Sequence, residues 1–458
     1  MNNSMRNQRT GGIQPPVRAF CKARAIAGAV ALAAAPLALL HAAPAQAQTQ
    51  ASPAIDLNSI SYFYAARAGR PLWLTPQSGD TAQRLLSLLS SAAIDNSNPG
   101  RYDIKGIAKA LRSAYGGNPK AVQRAELLLS QTYVAYANDL KRAPDIGIYY
   151  VDSQLAPHPE SPRKLLDAAA AAPSLQQFIA DMGWMNPLYG KLRNALATGA
   201  YSGDAQRRIL ALNLERARQL PWGSARYIVV NAAAQRLTIY EGGQPVDSMR
   251  VVVGKPKYPT PMMSALIRFA TLNPYWYVPS DLAAERVAPN VLKDGLPFLK
   301  AHGYQVMSDW EENATVLDPA KIDWKAVASG KLEIAMRQLP GPGNSMGRMK
   351  FMFPNRAGVY LHDTPDKQLL TEASRLFSGG CIRLEDAPRL GVWLFGKPLK
   401  PAGAKPEQRV PLDNPVPVFV TYLTAEPEGG SIAFYNDIYG RDAARMASVA
   451  AAPVIAAR

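Results

Sequence analysis

Residues 225–254 read ARYIVVNAAAQRLTIYEGGQPVDSMRVVVG, with apolar and polar side chains in alternation and many β-branched residues. A period of two is typical of β-strands, and EGGQ at 241–244 predicts a tight turn between two of them. We therefore expect a hairpin, followed by DSMRVVVG as part of the next strand. The stretch also marks where the pattern of the chain changes from helical to β-rich.

Before this stretch the pattern is helical. Apolar residues recur at helical spacing over 81–93, 120–143 and 204–220, and proline or glycine separates several shorter helices. Leucine and tyrosine stripes at this spacing indicate core packing. The sequence predicts an all-α domain over 48–220 that begins with a flexible Ala/Gln/Ser/Pro-rich lead.

After residue 221 we expect a β-rich domain that extends to 442. Its strands are interrupted by a mixed segment at 281–345, which reads as an insertion. Short helices are predicted on both sides of Cys381, from TEASRLF and EDAPRLGVWLFG. The Ala-rich tail at 443–458 is expected to be disordered. The predicted fold class is α+β.

Length and charge limit the function classes. The 458 residues suit two to three domains, and the net charge of +16 favours an anionic partner such as nucleic acid, a membrane surface or an acidic polymer. A general basic bias of the source proteome would explain the charge equally well.

The N-terminus has the order of a secretory signal. A basic segment precedes the apolar run at 25–43, and AQA follows at 45–47. We expect a signal peptide over 1–47, cleaved after Ala47, and a periplasmic location. An uncleaved inner-membrane anchor is the alternative. Export argues against nucleic acid and suits an anionic polymer of the cell envelope.

Cysteine usage then singles out one thiol. Cys21 lies in the predicted signal, which leaves Cys381 as the sole cysteine of the mature chain. An intramolecular disulfide and a cysteine-rich zinc site are thereby excluded. A lone thiol in an oxidising compartment is either a buried, inert side chain or a nucleophile.

The neighbours of Cys381, in SGGCIRLED (378–386), favour a reactive thiol. Gly379 and Gly380 allow a sharp bend in which successive N–H groups form an oxyanion hole. A helix starting directly after Cys381 would favour the thiolate through its dipole. Arg383 adds positive charge and suits a carboxylate.

A base is available upstream. His362, in VYLHDTP, ends an apolar strand and could accept the thiol proton while Asp363 or a carbonyl holds its other ring nitrogen. A purely structural strand-end histidine is the alternative. His158 and His302 read as loop and helix-end residues. No metal-binding or nucleotide-binding motif is present, so we expect neither a metal nor a cofactor.

YLHDTP (360–365) followed by SGGCIR (378–383) resembles the signature of the YkuD-type L,D-transpeptidases. The blocks RYIVVNAAAQRLTIY, NPYWYVP and GPGNSMGRMKFMFPN are similar to the large Gram-negative members of that family, and YFYAARAGRPLW resembles their helical scaffold region. The resemblance runs through most of 60–440. It implies a β-sandwich-like catalytic domain behind a scaffold domain, with a capping lid at 281–345.

The resemblance also implies an activity. Cys381 would attack a peptidoglycan stem peptide, with His362 as the base, and the thioester would pass to a diaminopimelate amine of a second stem. The product is a 3,3-crosslink or a 1,3-crosslink. Gly379 and Gly380 would form the oxyanion hole, and the implied substrate-binding residues are Arg383, Tyr360, Trp276, Asn344, Met346 and Ser378. A thiolate site of this kind is also expected to react with carbapenem-type β-lactams.

Two departures from the family pattern stand out. Gly379 occupies a position where most members carry a second histidine, and the peptidoglycan-binding module of the large members is missing. The missing module leaves open how the chain holds peptidoglycan and whether it forms 3,3- or 1,3-crosslinks. A stem-trimming cysteine peptidase and a non-catalytic peptidoglycan-binding scaffold are the alternative functions. The expected partners are stem peptides and cell-wall synthases, without nucleic acid, and the chain is expected to be a monomer.

Overall fold

The computed structural model describes residues 57–142, 146–223, 225–311 and 313–451. The predicted signal peptide lies outside these residues. In the part of the chain that is described, no helix combines the length and apolar character needed to cross a bilayer.

The first half of the chain folds into helices, as predicted. Three of them begin at an Asn-Pro or Ser-Pro pair, in which the first residue caps the helix with its side chain and the proline takes the first helical position. The helices are α1 Leu57–Ala66, α2 Thr81–Ser90, α3 Ile104–Ala114, α4 Pro119–Leu140, α5 Pro162–Ala171, α6 Leu175–Ala180, α7 Pro187–Thr198 and α8 Gly203–Ala217.

These helices enclose an aromatic core that contains a buried ion pair. Trp73, Tyr133 and Trp184 are fully buried and meet edge to face. Asp95 accepts from the Arg193 guanidinium at 2.9 Å, and two tyrosine hydroxyls also donate to this carboxylate. The buried charge is therefore paired and fully hydrogen-bonded.

The second half is β-rich and contains shorter helices. The strands are β1 Tyr149–Tyr150, β2 Tyr227–Asn231, β3 Arg236–Glu241, β4 Gln244–Gly254, β5 Met263–Leu272, β6 Trp276–Val278, β7 Tyr304–Met307, β8 Ala335–Gln338, β9 Met349–Met352, β10 Leu361–His362, β11 Leu376–Ser378, β12 Ile382–Leu384, β13 Gln408–Thr421, β14 Ala425–Glu428 and β15 Ser431–Phe434. The helices are α9 Ser280–Leu282, α10 Ala288–Asp294, α11 Pro297–Ala301, α12 Trp324–Ala328, α13 Ala387–Phe395 and α14 Arg441–Ala451, with a π-helical segment at Ala283–Val287.

Eight strands form a closed ring, in the order β5-β13-β2-β3-β4-β12-β10-β9, because β9 also pairs with β5. The predicted hairpin is confirmed, since β3 pairs antiparallel with both β2 and β4. Val and Ile side chains of alternate positions fill the inside of the ring. The β-rich domain that we expected is present, and its main sheet closes into a barrel where we expected a sandwich-like arrangement.

The predicted insertion forms a lid with its own core. Strands β6, β8 and β7 make a three-stranded sheet, and α9 to α12 pack against it. Val278, Val287 and Met336 are fully buried in this core. The lid sheet begins at Trp276, slightly before the predicted start of the insertion.

The helical half and the barrel are joined at two further places. Strand β1 pairs in parallel with β5 of the barrel. At the other end of the chain, Ala425 of β14 is buried in the helical core, where Ile432 and Phe434 of β15 also pack. A single domain boundary near residue 220 therefore does not assign each core to one continuous segment of the chain.

Three local predictions differ from the structure. In place of the helix predicted from TEASRLF, a turn leads into strand β11, which pairs with β4. Directly after Cys381 the chain forms strand β12 and not a helix start, because β12 is paired on both sides, by β4 and β10. The helix predicted from EDAPRLGVWLFG is confirmed as α13, but it starts only at Ala387, where the Asp386 side chain caps it, and so it does not begin at Cys381. The tail is helical through Ala451, anchored by Asp442, which binds Arg216 at 2.6 Å.

Candidate active site

Strand register brings the predicted nucleophile and base to the same face of the barrel. In the parallel pair β10 and β12, Leu361 lies opposite Ile382 and His362 opposite Arg383. Leu361 and Ile382 are fully buried inside the barrel. Side chains alternate along a strand, so His362 and Arg383 face outward, and Tyr360 and Cys381 share that face one pair earlier. Cys381 and His362 are diagonal neighbours.

Hydrogen bonding fixes the tautomer of His362. Its Nδ1 lies 2.6 Å from the carbonyl oxygen of Asp363. A carbonyl can only accept, so Nδ1 carries the proton and Nε2 keeps a free lone pair. We expected either a carbonyl or the Asp363 side chain to hold the ring, and the structure shows the backbone carbonyl of Asp363 in this role.

The environment of His362 keeps the ring neutral. The side chain is 1% exposed, and burial together with the positive charge of Arg383 lowers the pKa of His362 to about 3. Desolvation penalises the imidazolium, and a nearby cation penalises it further. At physiological pH the ring is therefore able to accept a proton.

The Cys381 thiol is partly exposed and has a defined position. Its sulfur donates to the carbonyl oxygen of Gly358 at 3.5 Å. The Tyr360 hydroxyl also forms a hydrogen bond with the thiol, and burial followed by the charge of Cys381 raises the pKa of Tyr360 well above its usual value. Tyr360 packs against both the barrel core and the lid core, so it joins the cysteine to the lid.

Ser378 shapes the loop that presents the cysteine. Its hydroxyl accepts from the Gly380 N–H at 3.1 Å and donates to the Cys381 carbonyl at 2.6 Å. Gly380 has a φ of +112°, which favours glycine. Ser378 is therefore a buried residue that positions the loop, and its hydroxyl occupies the Gly380 N–H that we expected in the oxyanion hole.

Thr260, which the sequence did not point to, also holds the loop that presents the cysteine. Thr260 is fully buried, and its hydroxyl donates to the Gly380 carbonyl and accepts from the Gly254 N–H, each at 2.9 Å. Only the PTP block around Thr260 (259–261) hinted at a fixed turn there. The contact spans 120 residues of sequence, so no local pattern could have found it.

Gly379 lies directly under the lid. A Cβ atom built at this position would be 2.9 Å from Cδ1 of Leu282, in α9. Any larger side chain would therefore displace Leu282 or the lid. This close approach gives a physical reason for glycine at the position where the resemblance leads us to expect histidine.

Arg383 is held by a partner inside the site. Its guanidinium contacts the Asp366 carboxylate at 2.9 Å, and its side chain is 9% exposed. Burial lowers the pKa of Arg383 and Asp366 acts against that shift. A substrate carboxylate would have to share the guanidinium with Asp366.

The other predicted groove residues lie in the lid core. Trp276 and Met346 are buried there. The Asn344 amide donates to the carbonyls of Pro274, Gln338 and Leu339 and accepts from the Met346 N–H, so it holds a turn. The structure thus gives Trp276, Asn344 and Met346 packing roles, because the sequence pattern does not reveal which way a lid side chain points.

A charged latch ties the lid to the barrel, and the sequence reasoning missed it as well. Glu285 binds Lys255 at 3.2 Å, the Tyr258 hydroxyl at 2.7 Å, and Lys257. These donors lower the pKa of Glu285 to about 2. Next to it, Arg286 donates to the carbonyl of Phe377 in β11. The lid therefore sits closed on the cysteine loop.

No cluster of three or more His, Cys, Asp or Glu side chains suitable for a metal occurs within residues 57–142, 146–223, 225–311 and 313–451. The groups that this site brings together are a thiol, a neutral imidazole and backbone N–H groups.

Comparisons with known proteins find similarity to L,D-transpeptidases. A curated Haemophilus influenzae protein named "Putative L,D-transpeptidase" is 28% identical over 399 residues, which cover 84% of this chain and 78% of that protein. A solved L,D-transpeptidase from Mycobacterium smegmatis is 17% identical over 43% of this chain and 59% of its own, with a TM-score of 0.20. The NMR structure of the E. faecium catalytic domain is 16% identical over 43% of this chain and 97% of its own, with a TM-score of 0.18.

TM-scores this low carry no weight, so the family assignment rests on sequence. Residues 225–395 match the YkuD family, described as the L,D-transpeptidase catalytic domain, and residues 58–196 match the family described as the scaffold domain. The chain therefore carries a YkuD-type L,D-transpeptidase catalytic domain preceded by a scaffold domain.

Proposed function

We propose that this protein is a peptidoglycan L,D-transpeptidase that uses Cys381 as its nucleophile. The observation that carries the proposal is the shared outer face of β10 and β12, where a partly exposed thiol neighbours a neutral imidazole with a fixed tautomer. A nucleophile beside an oriented base is the usual arrangement for acyl transfer.

In the acylation step His362 Nε2 takes the thiol proton as the sulfur attacks the diaminopimelate carbonyl carbon of the amide that joins diaminopimelate to the terminal D-alanine of a tetrapeptide stem. The low pKa of His362 favours proton transfer during attack over a preformed thiolate–imidazolium pair. The C–N bond then breaks, and the imidazolium returns the proton to the leaving D-alanine amine.

In the transfer step a diaminopimelate amine of a second stem attacks the thioester. His362 accepts the amine proton, the new amide forms and the Cys381 thiolate leaves and is reprotonated. The negative oxygen of each tetrahedral intermediate needs N–H donors. Gly380 can supply one only by exchanging its bond to Ser378.

The closed lid supports transfer over hydrolysis. A thioester is lost if water reaches it before the amine does, and lids that exclude water prevent such side reactions. Leu282 covers Gly379, and Tyr360 links the cysteine to the lid core. This cover favours a transferase over a stem-trimming peptidase.

The test is to incubate mature protein with disaccharide-tetrapeptide and to analyse the products by mass spectrometry. Crosslinked dimer and released D-alanine are expected for the unaltered protein, and neither for Cys381→Ala. Trimmed monomer without dimer would identify a peptidase, and unchanged substrate would support a non-catalytic scaffold. Fragmentation of the dimer distinguishes 3,3-crosslinks from 1,3-crosslinks.

We also propose that the enzyme works in the periplasm, because residues 1–47 have the order of a secretory signal and the substrate lies there. Fractionation of the producing cells tests this: the protein is expected in the periplasmic fraction, shortened by the signal. Recovery with the cytoplasmic proteins at full length would contradict it.

A further inference from the structure

A cavity of about 280 Å³ lies where the helical half meets the barrel, far from Cys381. Its walls come from the ends of α4 and α8, from the loop before α5, and from Tyr227 and Phe419 in β2 and β13. Strands β2 and β13 stand across the closed ring from β10 and β12. The cavity therefore cannot belong to the catalytic site.

The wall contains a largely buried ammonium group that lacks an acceptor in the part of the chain that the structure describes. Lys141 is 6% exposed, and among the described residues its nitrogen has no hydrogen-bond or ion-pair partner; it lies 4.2 Å from the centroid of the Trp222 ring. The nearby Glu160 carboxylate is already engaged, by Lys164 at 2.7 Å and by the Trp222 indole at 3.2 Å. A buried ammonium without an acceptor is costly.

A second polar group in the same wall, the Gln219 amide, also lacks a hydrogen-bond partner among the described residues. Gln219 is buried, and neither its amide nitrogen nor its amide oxygen has a partner among the described residues. An amide that can both donate and accept matches one peptide unit. Buried polar groups are normally satisfied, so two such groups at one cavity point to a ligand.

The other residues that line the cavity indicate which chemical class of ligand it would bind. Positive side chains exceed negative ones around the cavity, with Lys141, Lys164 and Arg218 against Glu160. The other walls are largely apolar and aromatic. The volume is near the lower limit for small-ligand sites and holds about two small residues.

We propose that this cavity binds the carboxyl end of a short peptide, with the carboxylate at Lys141, a small apolar terminal side chain against Trp222, and the preceding amide at Gln219. The site would hold a peptide chain on the side of the barrel opposite the cysteine. It does not depend on the proposed catalysis.

The probe is N-acetyl-Ala-Ala, compared with its C-terminal amide and with acetate. The readout is the indole N–H resonance of Trp222 in ¹⁵N-tryptophan-labelled protein, assigned with Trp222→Phe. We expect a saturable shift with the free acid, at least tenfold weaker binding of the amide and of acetate, and the same response in Cys381→Ala.

Lys141→Met and Gln219→Leu should each weaken binding of the free acid by at least tenfold. Lys109→Met, which removes the same charge from an exposed position on α3, is the matched control and should bind normally. The absence of a saturable shift up to tens of millimolar would overturn the proposal. Equal binding of the acid and amide, or of acetate, would overturn it as well, because the cavity would then hold only water or any small anion.

Discussion

At the scale of single residues, His362 combines a fixed tautomer with a lowered pKa. Its tautomer is fixed for proton acceptance, yet burial and Arg383 lower its pKa to about 3. A base is active only where it is unprotonated, so the acidic limb of the pH profile should lie well below 6.5, the ordinary value for histidine.

We therefore expect kcat/KM for crosslinking to keep its full value down to about pH 5 and to fall only at lower pH. His362→Gln should reduce the rate by about 10²- to 10⁴-fold. His302→Gln, on the exposed side of the lid, is the control and should leave the rate unchanged. An acidic limb centred near pH 6.5 would contradict this description of the base.

Lys141 allows a residue-scale test of stability. Burial lowers the pKa of Lys141 to about 7, while the unfolded chain keeps an ordinary lysine near 10.5. Between these values the unfolded state binds more protons, so this residue makes stability rise with pH and its cost is largest below about pH 7.

Lys141→Met should thus raise the free energy of unfolding by about 3 kcal/mol at neutral pH, and the gain should shrink toward pH 10. Urea denaturation at several pH values measures it. A destabilised variant, or a gain that is independent of pH, would show that the ammonium is better satisfied than the structure indicates.

At the scale of elements, Leu282 of α9 leaves no room for a side chain at Gly379 in the cysteine loop. Gly379→His should slow acylation of Cys381, because the new side chain needs the space that Leu282 occupies. A double-mutant cycle with Leu282→Ala measures the coupling, and partial recovery of the rate is the expected result. Additive losses would mean that position 379 affects the site by another route.

The latch at Glu285 should control how often the lid opens. Glu285→Gln keeps the shape but weakens three interactions, so amide hydrogen exchange in 280–294 should accelerate by about fivefold, as expected for the loss of about 1 kcal/mol. The exposed Glu333→Gln, also in the lid, is the control. Equal exchange in both variants would contradict a latch.

Sequence reasoning worked where the chemistry is local. The change of period at 225, the hairpin around EGGQ, and the pairing of Cys381 with His362 as nucleophile and base all follow from short patterns, and the structure confirms the hairpin and the proximity. It was wrong where tertiary pairing decides the conformation. TEASRLF favours helix locally, yet its end forms β11 by pairing with β4. Directly after Cys381, partners on both sides make β12 a strand, and the predicted helix α13 follows it.

The sequence also did not predict side-chain directions or contacts between residues far apart in the chain. Asn344 and Met346 belong to a family-like block, but only the folded lid shows that they point into its core. Thr260 reaches Gly380 from far along the chain.

At the scale of the whole molecule, each half of the chain contributes residues to the core or sheet of the other half. β1 extends the barrel sheet, while β14 and β15 complete the helical core. The cavity at Lys141 lies at this junction, and the cysteine lies across the barrel from it. Our two proposals together put the bound peptide on one side of the barrel and the reacting cysteine on the opposite side.

The central claim is that Cys381 is a nucleophile served by His362. Its most direct test is time-resolved intact-protein mass spectrometry with a saturating carbapenem-type β-lactam, followed by peptide mapping. We predict one adduct on the peptide that contains Cys381, no adduct with Cys381→Ala, and acylation slowed by at least 10²-fold in His362→Gln. An unaltered protein mass at saturation, or an adduct that persists in Cys381→Ala, would contradict the claim.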